Sequence, residues 1–268
     1  MLFENISSLN RAIILIAGIT FFWFIEGVVP FKYLNYKKWR HSIPNFLLTL
    51  TTIVVNFLLA YMLVFASDWT NQNSFGVLHL ISLPTLISII LGILILDLVG
   101  AYLPHFVQHK VKLLWYIHIV HHTDNKVDTT TANRHHPLES VIRFSFTLLA
   151  IFISGAPIGI VLMYQSLSVI ASQFNHANIQ ISDKIDKLLS YVIVSPNMHK
   201  VHHHFELPYT DSNYGNIFSI WDRIFGTYME LNKSKIIYGV DTDMNETQNS
   251  KFMSLIERPF KKWYNYFN

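Results

Sequence analysis

Histidines are concentrated in two parts of this chain, and their spacing constrains the fold more than any other feature. Twelve of the fourteen histidines lie between His105 and His204. His105 and His109 are four residues apart, which places both on one face of a helix. Two later sets repeat at i, i+3 and i+4: His118, His121 and His122, then His199, His202 and His203. Imidazole binds iron, zinc, copper and nickel well, so three one-sided clusters predict a polyhistidine centre for more than one metal ion.

The composition predicts an integral membrane protein. Hydrophobic residues make up 51% of the chain and charged residues 14%, against about 25% charged in ordinary soluble domains. The net charge of +3 is small and the basic residues are scattered among apolar runs, so we expect no nucleic-acid partner. The absence of cysteine excludes disulfides, iron–sulfur clusters and thiolate-ligated haem.

Three apolar runs have the length of membrane spans, at about 12–31, 46–66 and 83–102. The first is too long for a cleaved signal peptide and lacks its small-residue cleavage site. The loop before the second run carries Lys37, Lys38 and Arg40, whereas Ser67 to Gly76 has no lysine or arginine. The positive-inside rule therefore places residues 34–41, 110–136 and 176–204, with their histidines, on the cytoplasmic face.

A fourth apolar stretch, 141–174, separates the histidine clusters. A single crossing would put those clusters on opposite sides of the membrane, where they could not build one centre. The stretch is longer than one ordinary span, and Ser154 to Pro157 is a turn signal. We therefore expect a re-entrant helical hairpin, with one long tilted helix as the alternative.

These features predict an all-α fold: an integral-membrane helical bundle with a cytosolic helical cap that carries the histidine di-metal site. The cap comprises 103–140 and 175–268, and residues 1–268 form one domain. Within it, Pro196 should open the helix with the last histidine cluster, and Phe205 to Gly215 should be a loop. The C-terminal tail mixes aromatics with Lys261 and Lys262, which is typical of a helix at a membrane interface.

Six motifs follow one another in an order typical of one enzyme family. They are HFVQH, LLWYIHIVHHTD, DTTTANRHHPLE, QFNHANI, SPNMHKVHHH and TDSNYGNIFSIWDRIFGTY. With this order and spacing, about Asp97 to Tyr228, roughly half the chain, resembles the fatty acid hydroxylase/sterol desaturase superfamily of integral-membrane di-iron enzymes.

The resemblance implies two iron ions, replaceable by zinc in purified protein, with O2 as co-substrate. It implies nine ligands: His105, His109, His118, His121, His122, His176, His199, His202 and His203. His136, in the Arg-x-His-Pro-x-Glu segment, is expected to be either a ligand or a neighbour of one. Tyr214, Asn216 and Trp221 are expected to pack the last loop over the site.

Ligand rings need acceptors that orient them. The nearest acidic candidates are Asp124, Asp128, Glu139 and Asp222. Arg134 and Glu139 are expected to tie helices together rather than touch iron. Asp97 stands eight residues before His105, where the family has its acidic residue at seven, so we assign it no such role. His135 and His204 are expected to be ordinary exposed or hydrogen-bonded histidines, and we assign no role to His41 and His79.

The predicted function is hydroxylation or desaturation of an unactivated C–H position of a lipid: a fatty acyl chain, a sterol or an ether lipid. The alternatives are a membrane transporter of zinc or iron and a non-catalytic metal-binding membrane protein. A transporter would place its ligands near the bilayer midplane, whereas these histidines follow the ends of the spans. A zinc hydrolase would need a motif such as His-Glu-x-x-His, which the sequence lacks.

Oxygen activation needs electrons that this chain cannot store. We therefore expect a separate electron donor: a ferredoxin or a cytochrome b5-like carrier with its reductase, or a reduced pterin. The basic residues that could dock an acidic carrier are Lys110, Lys112, Lys126, Lys184, Lys187 and Lys200.

Overall fold

The fold is a bundle of long helices, and shorter helices pack at one end of it. The computed structural model describes residues 8–268 and contains no strand within them, only isolated bridges. Twelve α-helices span α1 Ser8–Val28, α2 Lys38–Gln72, α3 Thr85–Asp97, α4 Leu103–Lys110, α5 Lys112–His122, α6 Pro137–Ser154, α7 Ile158–His176, α8 Asp183–Leu189, α9 Pro196–His202, α10 Ile220–Ile224, α11 Glu246–Asn249 and α12 Phe252–Phe267. The all-α prediction is confirmed.

Four helical stretches are long and apolar enough to cross a membrane, which supports a membrane protein. They are Leu9–Val28, Lys38–His79, Thr85–Lys110 and Pro137–Ser154. The predicted limits of the first two spans differ from the helices observed. The first helix ends at Val28, because the chain after it pairs with the segment after α7 through a bridge between Pro30 and Ile179. The second runs from Lys38 to Gln72, so polar flanks extend it beyond the apolar run at 46–66.

The third span changes its winding before it reaches the first histidines. Residues Leu98–Tyr102 form a π-helical turn between α3 and α4. Asp97 is fully buried just before this turn and accepts hydrogen bonds from Phe218 N (3.1 Å) and Trp221 Nε1 (2.9 Å). The carboxylate therefore fixes the loop after α9 against the end of α3, beside the helix that carries His105.

Residues 141–174 belong to two helices rather than one. α6 ends at Ser154, the next residue Gly155 has a left-handed φ of 69°, and α7 starts after Pro157. A Cβ at residue 155 would lie 2.2 Å from the carbonyl oxygen of Phe75, so only glycine fits this turn. The hairpin returns the chain to the end of the bundle from which it came, which brings His176 back to α5.

The largest apolar cluster joins α2, α3, α6 and α7. Its fully buried members include Leu96, Ala150, Ile151 and Val161. Smaller helices and loops cover the histidine end of these four helices. α9 begins at Pro196, as predicted, with Ser195 Oγ accepting from Met198 N at 3.3 Å. The C-terminal helix α12 packs against α5 and α2.

Candidate metal centre

The nine histidines predicted as ligands lie together in two adjoining groups. The nitrogen atoms of each group lie within 4.8 Å of one another. The first group is His105, His109, His118, His122 and His202. The second group is His121, His176, His199 and His203. All nine come from helices α4, α5, α7 and α9 or from the residue that ends α9.

Helical periodicity explains how two groups arise from three clusters. On α5, His118 and His122 are one turn apart and both enter the first group, while His121 points to the second. On α9 the division is reversed, since His202 enters the first group while His199 and the C-terminal His203 enter the second. The last residue of α7, His176, completes the second group.

Three of the five rings in the first group share one orientation. Nδ1 of His105 donates to the Tyr214 carbonyl (2.8 Å), Nδ1 of His202 to the Ser212 carbonyl (2.6 Å), and Nδ1 of His118 to Glu139 Oε1 (3.0 Å). With the proton fixed on Nδ1, each Nε2 presents a lone pair. All three Nε2 atoms are buried, and no group in the described part of the chain bonds to them.

The second group converges through its Nε2 atoms. His176 Nε2 lies 3.1 Å from His121 Nε2 and 3.0 Å from His199 Nε2. Nδ1 of His176 donates to the Ser172 carbonyl at 2.7 Å, so its Nε2 also presents a lone pair. Both ring nitrogens of His203 are buried and lack a partner among the described residues.

These rings are neutral, as metal ligation requires. Burial, with a contribution from neighbouring imidazoles, lowers the pKa well below its ordinary value for His121, His122, His199 and His203. Burial likewise lowers the pKa of His176 and of His202 to about 3. Buried polar atoms normally have partners. Converging, unpartnered imidazole lone pairs therefore fit transition-metal ions that favour nitrogen ligands.

Of the four acidic residues predicted to orient rings, Glu139 contacts a histidine of the groups directly. It is fully buried and holds His118. Asp222 acts indirectly. It accepts hydrogen bonds from Tyr214 N and Gly215 N, and the Tyr214 carbonyl accepts from His105. Asp124 and Asp128 contact neither group.

Asp124 and Asp128 instead bind His41, to which we assigned no role. His41 Nε2 lies 2.8 Å from Asp124 Oδ1, and Nδ1 lies 3.1 Å from Asp128 Oδ2. Tyr36 also donates to Asp128 at 2.6 Å. This buried link ties the start of α2 to the loop after α5. Nothing in the local sequence pairs His41 with residues more than eighty positions away.

His135 and Asp211 were not predicted to be near the centre. His135 Nδ1 is 2.9 Å from Glu139 Oε1, and its ring stacks on that of His121 with centroids 4.6 Å apart. His135 precedes the N-cap of α6, so helical periodicity does not predict this contact. Asp211 Oδ1 lies 3.6 Å from His109 Nδ1. It comes from a short 3-10 helix, Tyr209–Asp211, about a hundred residues after His109, and the local sequence does not predict this contact either.

The remaining candidates lie outside the two groups. Both ring nitrogens of His136 contact backbone, since Nε2 donates to the Ile256 carbonyl (3.1 Å) and Nδ1 accepts from Leu138 N (3.2 Å). His204 accepts from Ile237 N at 3.0 Å. Arg134 ties helices together, as expected, through the Val120 and Asn249 carbonyls.

Comparison with known proteins gives one family. Residues 89–227 match the sequence model of the fatty acid hydroxylase family, and this range contains both histidine groups. No solved structure matches the chain at a significant level.

Characterised relatives are lipid-oxidising enzymes. An ornithine lipid hydroxylase of Rhizobium tropici is 25% identical over 54% of this chain and 43% of its own length. The alkylglycerol monooxygenase of Homo sapiens is 29% identical over 54% of the chain and 32% of the enzyme. The alkylglycerol monooxygenase of Caenorhabditis elegans is 30% identical over 54% of the chain and 28% of the enzyme. The matches thus span less than half the length of these relatives.

Proposed function

The chain belongs to the fatty acid hydroxylase family, and on that basis we propose that it is a membrane-bound di-iron oxygenase. The proposed reaction is hydroxylation or desaturation at an unactivated C–H position of a lipid. Membership of this family and similarity to monooxygenases make the protein an oxidoreductase of the lipid hydroxylase class. What we propose beyond this class is that the metal is iron, that two ions bind, and that a lipid is the substrate.

One observation carries the proposal: two adjoining groups of histidines direct buried ring nitrogens towards a common interior, and most of these nitrogens have no partner among the described residues. The two groups contain five and four imidazoles, which together exceed what one ion can bind. We therefore assign one ion to each group. A metal transporter would place its ligands within a span. Here most of them lie on short helices at the end of the bundle, and the family match favours an enzyme.

The chain's own residues would hold and orient this centre. Bound iron supplies the redox chemistry that O2 activation and C–H cleavage require. Glu139 and the carbonyls of Tyr214, Ser212 and Ser172 fix the proton on Nδ1 in four of the nine rings and direct Nε2 of those rings inward. The ring nitrogens that face the interior are buried in both groups, which limits their contact with solvent.

Hydroxylation consumes O2, two electrons and two protons, and releases one water for each hydroxyl formed. The chain has no cysteine for an iron–sulfur cluster, so we propose that the electrons come from a separate carrier or a reduced pterin. Lys200 is excluded from the docking set suggested by the sequence. It is fully buried, with its ammonium 4.5 Å from the centroid of the Phe31 ring.

The test combines metal and lipid analysis of the protein purified from a membrane. We expect about two iron or zinc ions per chain, because each group has at least the four ligands that an ion needs. Lipids of cells that express the gene should contain a species with one added oxygen, or one with two fewer hydrogens. Folded, active protein with one ion per chain would contradict the dinuclear assignment. Unchanged lipids in cells with metal-loaded protein and an electron donor would contradict the oxygenase assignment.

A further inference from the structure

An arginine that the metal centre does not use lies beside both histidine groups. Arg143 is the seventh residue of α6, a helix apolar enough to cross a membrane, and lies about 9 Å from its first residue. Ionisable residues in such helices are costly and usually functional. Neither the metal ligation nor the orientation of the histidines requires this guanidinium.

The position of Arg143 on α6 directs it inward. Glu139, one turn earlier, contacts His118, and Thr147, one turn later, faces Gly100. Residues four apart share a helix face, so Arg143 lies on the face between these contacts.

The nearest atoms agree with this placement. Nη1 of Arg143 lies 3.8 Å from Glu139 Oε1, an oxygen that is 3.0 Å from Nδ1 of His118 in the first group. The same oxygen is 2.9 Å from Nδ1 of His135, whose ring stacks on that of His121 in the second group. The guanidinium therefore lies close to both groups.

The guanidinium has most of its hydrogen-bonding capacity free. Within residues 8–268 its one ion pair is Nη1 to Glu139 Oε1 at 3.8 Å, beyond hydrogen-bonding distance. The same oxygen already faces His118 Nδ1 and His135 Nδ1 at 3.0 and 2.9 Å. Glu139 Oε2 is buried without a partner in the described structure, so Arg143 does not use that oxygen either. A counterion for Glu139 would not be left in this position.

We propose that Arg143 binds a negatively charged oxygen group of the lipid substrate, a phosphate or a carboxylate, beside the two histidine groups. A third of its side-chain surface is exposed, which gives a ligand access. The planar guanidinium can hold two oxygens of either group at once. The inference rests on the proposed function in taking the ligand as substrate. Because the charged end binds next to the centre, the carbon that reacts lies near that end and not at the methyl terminus.

Binding of simple amphiphiles tests the proposal without turnover. Metal-loaded protein in neutral detergent is titrated calorimetrically with dodecyl phosphate, dodecanoate and dodecanol. The native protein should bind one of the two anions about tenfold or more tightly than the alcohol, as charge-assisted hydrogen bonds predict. Arg143→Met should abolish that preference. Arg143→Lys should keep part of it, since lysine retains the charge but not the two-pronged geometry.

Arg40→Met is the matched control, because Arg40 is exposed in the first turn of α2 and contacts neither group. Its preference should equal that of the native protein. Metal content identifies variants whose centre is disturbed, and Arg143→Lys carries the test if Arg143→Met is misfolded. An anion preference unchanged in both Arg143 variants would overturn the proposal. A preference lost equally in Arg40→Met would do the same, and would assign it to general headgroup contacts.

The test also separates this proposal from the proposed function. Charge-selective binding without any lipid oxidation would leave Arg143 as a headgroup site and contradict the oxygenase. Lipid oxidation with no charge selectivity would contradict the role of Arg143 alone.

Discussion

Adjacent histidines serve different groups because neighbouring positions on a helix are about 100° apart. His121 and His122 therefore separate, and so do His202 and His203 at the end of α9. A substitution at one position should consequently affect one group more than the other. His136, two residues after Arg134, is a histidine that belongs to neither group.

His202→Ala should lower the affinity of the first group for metal and reduce lipid oxidation, while the four remaining histidines still hold an ion. The first group would lose a buried Nε2 that the Ser212 carbonyl orients. His136→Ala should retain both ions and lose about 1 kcal/mol of stability, because its ring caps α6. Metal analysis and thermal unfolding of the two variants check this. Equal metal loss in both would show that the ring nitrogens do not determine ligation.

Glu139→Gln should weaken metal binding by about 10- to 100-fold while the protein remains folded. The amide keeps the size of the carboxylate but loses the charge that faces His118 and His135. Chelator competition measures the affinity. Asp186→Asn is a suitable control, since Asp186 accepts from Asn197 N and touches neither group. An affinity for metal unchanged by Glu139→Gln would remove this residue from the centre.

At the scale of elements, the sequence predicts the histidine-bearing helices well and their partners poorly. The i, i+3, i+4 spacings of α5 and α9 are local, so they identify one-sided clusters without knowledge of the fold. The carbonyls that orient His105 and His202 come from the irregular loop at 212–214, about 109 and 10 residues away. Helix limits were also missed, because hydropathy marks the apolar zone and not the last hydrogen-bonded turn.

The turn between α6 and α7 determines whether His176 reaches α5. Gly155→Ala should destabilise the protein by about 1–3 kcal/mol, because the left-handed φ of 69° and the Phe75 carbonyl 2.2 Å away both oppose a side chain. Gly27→Ala is the matched control, since nothing lies within 4 Å of its added Cβ. Thermal unfolding in detergent compares the two. Equal stability of both variants would show that the turn tolerates other conformations.

On the scale of the whole molecule, the return of the hairpin requires both ends of residues 141–174 to lie on one side of the membrane. The basic loop before α2 favours the cytoplasmic side for the histidines. Because the chain has no cysteine, single cysteines can report this orientation. Three exposed positions suit the test: Asn73 after α2, Lys112 at the start of α5 and Lys187 on α8.

An impermeant thiol reagent added to intact cells should label Asn73→Cys but neither Lys112→Cys nor Lys187→Cys. After the membrane is permeabilised, all three should react, which controls for accessibility of each thiol. The physical reason is that α5 and α9 must share one aqueous face to build a common centre from His121 and His199. Labelling of Lys187→Cys from outside, with Lys112→Cys protected, would place the histidines of one group on opposite sides. That result would contradict both the hairpin and the shared centre.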